Sequence, residues 1–408
     1  MLPSALEDAS ALDFYESHLP FQEDERTLLS LYFQSAFEHD ALSRCRDYLG
    51  KRIDQRPVNI EWHRAYQHVA DLTGERDNMV RQYDSWLAAE PDDSTLLYLR
   101  GRLEPLASDS IGWFERALKV DPKNAYARAA LANELLTIGK FEEGLATVNA
   151  ALEANPDLNS ALDVRQSLLL ATSDFRTLER QAQAAIEEQP LSFGPQQLLM
   201  NIAAMEGNIR RAERLQEDFA TVVQRDWPTD PHELVRLTEY RVAVLKDDSA
   251  QAKACAQQFT DDENRWQAMF GAELLAGELD EAGQLLANMP DRGKGYDDLC
   301  LSLAYAAQGN EVEARRWRAA AVEHLALGDY GDRIAAELLT EADAGDFDAE
   351  RALQLTLEPE DKMLFLAAVA DQSGERRGDV IELAEKLNYE PGIRHNLLKK
   401  VLAQPSEF

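Results

Sequence analysis

Cysteine is scarce in this chain: Cys45, Cys255 and Cys300 are the only three in 408 residues, far apart and odd in number. None stands in a CxxC or Cys/His spacing, which excludes a zinc module and a disulfide framework and leaves the thiols as small core residues. Long apolar runs are missing as well. The longest, Met363 to Ala370, falls far short of the roughly 20 residues that cross a bilayer. The amino-terminal MLPSALEDAS has neither the cationic start nor the apolar stretch of a secretory signal, so a cytoplasmic location is expected. Positive charge is the third shortage. Lys and Arg number 42 against 74 Asp and Glu, for a net charge of -32, which opposes phosphate backbones and anionic lipid. Nucleic acid and membrane insertion are therefore not expected. The local clusters Arg210, Arg211, Arg214 and Arg315, Arg316, Arg318 read as solvated helix faces.

The motifs of chemistry are absent too. No GxxxxGK[ST] or GxGxxG cradles a phosphate, and no GxSxG presents a serine nucleophile. His232-Glu233-Leu-Val-Arg236 starts like a zinc-protease helix, but Arg236 replaces the second ligand. His63 and His68 are five residues apart, about 140° around a helix, and do not converge on one ion. The acidic pairs Asp92-Asp93, Asp247-Asp248 and Asp261-Asp262 precede helical stretches and are expected to cap free amides. No catalytic residue, metal or cofactor is expected, and the chain reads as a non-enzyme. The six tryptophans, at 62, 86, 113, 227, 266 and 317, fall mostly at helical core phase and are expected to pack.

What is present is periodicity. Residues are 45% hydrophobic and Ala, Leu, Glu and Arg abound, which favours helix. Prolines stand at 57, 91, 122, 156 and 190, separated by 34, 31, 34 and 34 residues. Between Pro122 and Pro156, Leu131 and Leu135 share one helix face, Gly139 supplies a stop, and Gly144, Val148 and Ala151 form the inner stripe of a second helix. Small residues at 144 and 151 let two helices approach. The five-residue step from Gly139 to Gly144 recurs as Gly207 with Ala212, Gly277 with Ala282 and Gly309 with Ala314. The single spacing of 31 predicts a loss of about three residues from the loop around Leu103 to Ser110.

This pattern resembles the tetratricopeptide repeat, most closely over residues 94–190 and more weakly over the carboxyl-terminal half. The expected fold is all-α: a right-handed α-solenoid of stacked antiparallel helical hairpins, a tetratricopeptide-like superhelix. The expected organisation is a capping helix or arm over 1–20, a repeat array over 21–226, a proline-containing linker or bend at 227–231, irregular hairpins over 232–403 and a tail at 404–408. In the second half, Leu237 to Phe259, Asn264 to Met289, Tyr296 to Leu327, Arg333 to Leu357 and Lys362 to Leu387 each read as one hairpin, followed by a last helix at Leu397 to Leu402.

The resemblance implies a groove lined by first helices, presenting Arg64 and His68, Tyr126 and Asn133, Asp163 and Ser167, and Gln197 and Asn201. The carboxylate clamp of chaperone-binding relatives is not expected, because Ala129 stands where lysine is required. The expected function is a protein-interaction adaptor or scaffold that takes a peptide or partner protein. Two alternatives remain open, a regulatory or substrate-presenting part of a larger enzyme and a cell-envelope assembly factor like some bacterial relatives. Self-association is possible in either case.

Overall fold

Positive-φ residues punctuate this chain at the end of one helix in two. The computed structural model describes residues 10–19, 25–226, 232–289, 294–389 and 391–402, and among them no strand occurs. Two compact units are present, Met1–Glu134 with Thr147–Ala161, and Leu135–Ala146 with Leu162–Phe408.

The first unit contains α1 (Ser10–His18), α2 (Glu25–Glu38), α3 (Leu42–Gly50), α4 (Ile60–Leu72), α5 (Arg76–Ala89), α6 (Ser94–Gly101) and α7 (Ala107–Val120). The dividing line passes through α8 (Ala125–Thr137), α9 (Phe141–Ala154) and α10 (Asn159–Ala171). The second unit continues with α11 (Phe175–Glu188), α12 (Phe193–Met205), α13 (Ile209–Asp226), α14 (His232–Leu245), α15 (Ser249–Ala256), α16 (Asp262–Ala276) and α17 (Leu279–Leu286). It ends with α18 (Gly295–Ala307), α19 (Glu311–Leu325), α20 (Tyr330–Ala344), α21 (Ala349–Gln354), α22 (Pro359–Val369), α23 (Arg377–Leu387) and α24 (Ile393–Leu402).

From α2 to α23 the helices run as consecutive hairpins, the tetratricopeptide-like arrangement. The first helix of a hairpin is followed by a left-handed residue: Asp40, Gly74, Gly139, Ser173, Gly207, Asp247, Gly277, Gly309, Gly345 and Gly374 all have positive φ. Such a residue reverses the chain and lets its neighbours bond the last free carbonyls, as Lys140 N does with Leu135 O at 2.8 Å. The prolines mark the other end. Glu90, Asp121 and Gln189 have left the helical region, with ψ of 67°, 97° and 83°, and each still donates to the last turn of its second helix. The following proline forbids another helical residue. The predicted hairpins of the second half are all present, with described boundaries shifted by a few residues.

The hairpin of α6 and α7 alone lacks a left-handed turn, and here the expectation needs correction. The three missing residues are taken from the helix and not from the loop. α6 has 8 residues where α4, α8, α10 and α12 each have 13, and the connection at 102–106 is longer than the one at 138–140. A would-be Cβ on Gly101 lies 2.7 Å from the Phe114 ring, so the absent side chain is what lets α6 close on α7.

In the first unit, Leu12, Tyr15 and Leu19 are buried with Leu29, Tyr32, Cys45 and Leu49. Glu16 of α1 accepts from Tyr32 Oη at 2.8 Å and from Arg44 Nε at 2.8 Å, which fastens α1 to α2 and α3. All three cysteines are buried and free. Asp93, Asp248 and Asp261 each accept from backbone amides at a helix start, the capping role expected of the acidic pairs. The tryptophans are less uniform than their phase implies. Trp62 is buried and donates to Leu49 O at 2.8 Å, whereas Trp266 stands exposed on α16. The expected bend at 227–231, the tail at 404–408 and Trp227 lie outside the described residues. α13 and α14, on either side of that bend, pack against each other within the second unit.

Candidate functional site

Two groups of first-helix residues are candidates, one in each unit. In the first unit, Arg64 of α4 and Tyr126 of α8, both expected on the groove side, are brought together. The Arg64 guanidinium lies 5.8 Å from the Tyr126 ring centroid, and both bind Glu61, Tyr126 Oη donating at 2.9 Å and Arg64 Nη1 at 3.2 Å. Burial, and then the hydrogen bond to Glu61, push the Tyr126 hydroxyl up to about 12, so it remains a donor across the neutral range. The Tyr126 ring continues onto Tyr98 of α6 at 5.8 Å, and Arg102 follows, its Nε donating to Gln67 Oε1 at 3.0 Å. Two stacked rings flanked by a guanidinium at each end thus span three successive first helices.

Glu61, Tyr98 and Arg102 were not singled out as members of the cluster around Arg64. Glu61 had a signal, the i,i+3 spacing to Arg64. Tyr98 and Arg102 had one as well, since they stand 34 residues after Arg64 and His68, at the same positions of the next repeat. His68 is exposed and lies against the Phe33 ring at 4.5 Å, and His63 is buried with its Nδ1 2.6 Å from Tyr83 Oη. Burial, and then the charge of Arg56, lower the His63 imidazole to about 4, which keeps it neutral at pH 7. Asn133 is half-buried on α8.

In the second unit Asp163 is exposed, Ser167 half-buried, and Gln197 and Asn201 line a cavity of about 560 Å³ together with Arg165 and Gln166. Asn201 does not have the expected role of a free surface amide. It is 2% exposed, and its Oδ1 accepts from Arg241 Nε at 2.9 Å. Arg241 also donates to Pro391 O at 2.5 Å, so Asn201 serves to hold a cation from α14 that reaches the last segment of the chain.

The basic clusters are met by acids. Arg211 pairs with Glu179 and Glu206, and Arg318 pairs with Asp343 at 2.6 Å and donates to Ala368 O. Among the described residues no three His, Cys, Asp or Glu side chains group as metal ligands, and no helix is long and apolar enough to cross a membrane.

The sequence matches no protein-family model and no curated protein. Three similar solved structures are distant in sequence. A human IFIT1 dimer with m7Gppp-AAAA is 12% identical with a TM-score of 0.36, covering 93% of this chain and 94% of that one. The TPR domain of P58(IPK) is 12% identical with a TM-score of 0.25, covering 80% and 98%. The APC/C hetero-tetramer Cut9-Hcn1 is 11% identical with a TM-score of 0.29, covering 93% and 88%. Likenesses this loose carry no argument about activity or ligand, and the hairpin geometry of the chain itself supports the repeat architecture.

Proposed function

We propose that this chain is a non-enzymatic scaffold that binds a protein or peptide segment on the faces of its first helices. The observation that carries the reading is the cluster of half-buried Arg64 and Tyr126 and exposed Arg102, backed by the buried Tyr98 ring, across α4, α6 and α8. Rings and guanidinium groups held by neighbours lose little freedom when a partner arrives, and both types are enriched at the energetic centres of interfaces. Glu61 orients Arg64 and Tyr126 together, which presents donors and aromatic surface in one fixed arrangement suited to an extended peptide.

Photo-crosslinking in cells tests this. A benzoylphenylalanine at His68, on a first helix, is compared with one at Arg81, which is exposed on the second helix α5. The expected outcome is a discrete crosslinked partner from position 68 that disappears when Arg64→Glu is added. Equal capture from position 81, or capture at 68 indifferent to Arg64→Glu, contradicts the reading.

A further inference from the structure

The last helix of this chain lies on the kind of surface that a repeat array offers to partners. α24 packs against α16, α18 and α22, each the first helix of its hairpin, and Arg241 of a fourth first helix, α14, holds Pro391 just ahead of it. Its apolar side is seated. Leu397 and Leu398 are buried, and Ile393 packs with Ala243, Val244 and Ala272 beside Tyr240. Gly271 makes that seat possible: a Cβ there would lie 2.4 Å from Ile393 Cδ1 and 2.6 Å from Tyr240 Oη. A glycine inside a helix costs about 1 kcal/mol relative to alanine, and contact with Ile393 is a physical reason for one in the middle of α16.

The polar side is matched in charge. Residues 391–402, PGIRHNLLKKVL, contain four basic-type residues and no acid, in a chain whose net charge is -32. Arg394 donates to Asp361 of α22 at 2.6 Å and to Asp297 of α18 at 3.3 Å. The fit is incomplete on both flanks. A cavity of about 440 Å³ lies beside Glu358, Asp361, Arg394 and His395, and another of about 360 Å³ beside Leu274, Ala304, Ile393 and Leu397.

We propose that the first-helix face of α14, α16, α18 and α22 is a docking site for a basic amphipathic helix, that α24 is its resident occupant, and that a partner helix of the same chemistry displaces it. The partner carries an arginine followed at the third and fourth positions by leucines, with a branched aliphatic residue just before the arginine. Arginine is required because Asp297 and Asp361 are already half-buried, and a ligand without a cation there strands two carboxylates. Aliphatic residues are required because the Gly271 seat takes the Ile393 side chain among Ala243, Val244 and Ala272, beside Tyr240. The proposal rests on the reading that first-helix faces of this chain bind protein segments.

The probe is a fluorescein-labelled peptide PGIRHNLLKKVL, followed by anisotropy with the full-length protein. In the unaltered chain the tethered helix competes at an effective concentration on the order of 1 mM, so micromolar peptide binds weakly. Ile393→Asp with Leu398→Asp releases α24, and the peptide is expected to bind this chain about tenfold tighter or more. Adding Asp297→Asn with Asp361→Asn, or Gly271→Leu, abolishes that gain. A released chain that keeps the rest of its helical signal yet takes up no peptide overturns the proposal, as does equal binding to the unaltered chain.

Hydrogen exchange of the unaltered protein gives an independent result should the released variant not fold. Amides of α24 exchanging together, faster than those of α18 and α22, support displacement, whereas exchange of all three only on global unfolding refutes it. Crosslinks from His68 in the first unit do not depend on α24. Their persistence separates failure of this site from failure of the general reading.

Discussion

Arg394 donates to the Asp361 carboxylate at 2.6 Å across 33 residues of sequence, and so fastens the last helix to α22. Burial raises both Asp361 and Asp297 above the ordinary carboxylate value, and Arg394 opposes the rise at each. Replacing it by glutamine removes the opposing charge. The two carboxylates are then expected to titrate at higher pH than in the unaltered chain, read from side-chain carbon-13 shifts in NMR. Unchanged titration would show that Arg394 is not the counter-charge.

Asp332 is the most strongly raised carboxylate with a defined value, lifted to about 7 by burial and then by the charge of Asp329. Tyr296 Oη donates to it at 3.1 Å. A raised folded value means that the folded state holds a proton the unfolded state has released. This contribution therefore falls as pH rises from the ordinary carboxylate value through about 7. Asp332→Asn is expected to flatten that part of the pH dependence, and urea midpoints at pH 5 and pH 8 for both chains measure it.

Ser173 and Asp247 occupy left-handed turns where most hairpins have glycine, with φ of 57° and 58°. Both are exposed, so their side chains contribute little packing that would be lost. Ser173→Gly and Asp247→Gly are each expected to raise stability by about 0.5–1 kcal/mol through relief of the left-handed penalty, offset in part by unfolded-chain entropy. Chemical denaturation midpoints decide the sign.

Asp93 Oδ1 accepts from Thr95 N at 2.8 Å and Leu96 N at 2.9 Å, capping a helix of only 8 residues. Asp93→Ala is expected to cost about 1 kcal/mol, at the upper part of the usual range if short α6 depends on its cap. The loss should be seen first in amide exchange of α6 and only then in the global midpoint.

The hairpin alternation was legible because it rests on local chemistry. Proline stops at 91, 122, 156 and 190 act within one turn of their own position, as do Gly139, Gly207, Gly277 and Gly309 and the capping acids, and so a sequence displays them directly. Asp40, Ser173 and Asp247 do the same work without glycine and were missed, since aspartate and serine in a turn look like ordinary polar residues. The arrangement of the candidate residues was legible only in part. The expected groove side holds both Arg64 and Tyr126, which meet there, but Asn201 took a partner from another hairpin that no spacing announces.

By itself, then, the sequence determined an all-helical chain of hairpins with its helix stops and caps. Tertiary structure alone decided that α6 absorbs the shortened repeat, that Asn201 is committed to Arg241, and that α24 returns to the first helices of its own array. The physical reason is one of range. Turns and caps are settled by interactions within about four residues, whereas the seating of Ile393 on Gly271 and of Arg394 on Asp361 joins residues 122 and 33 positions apart, linked by no shared period.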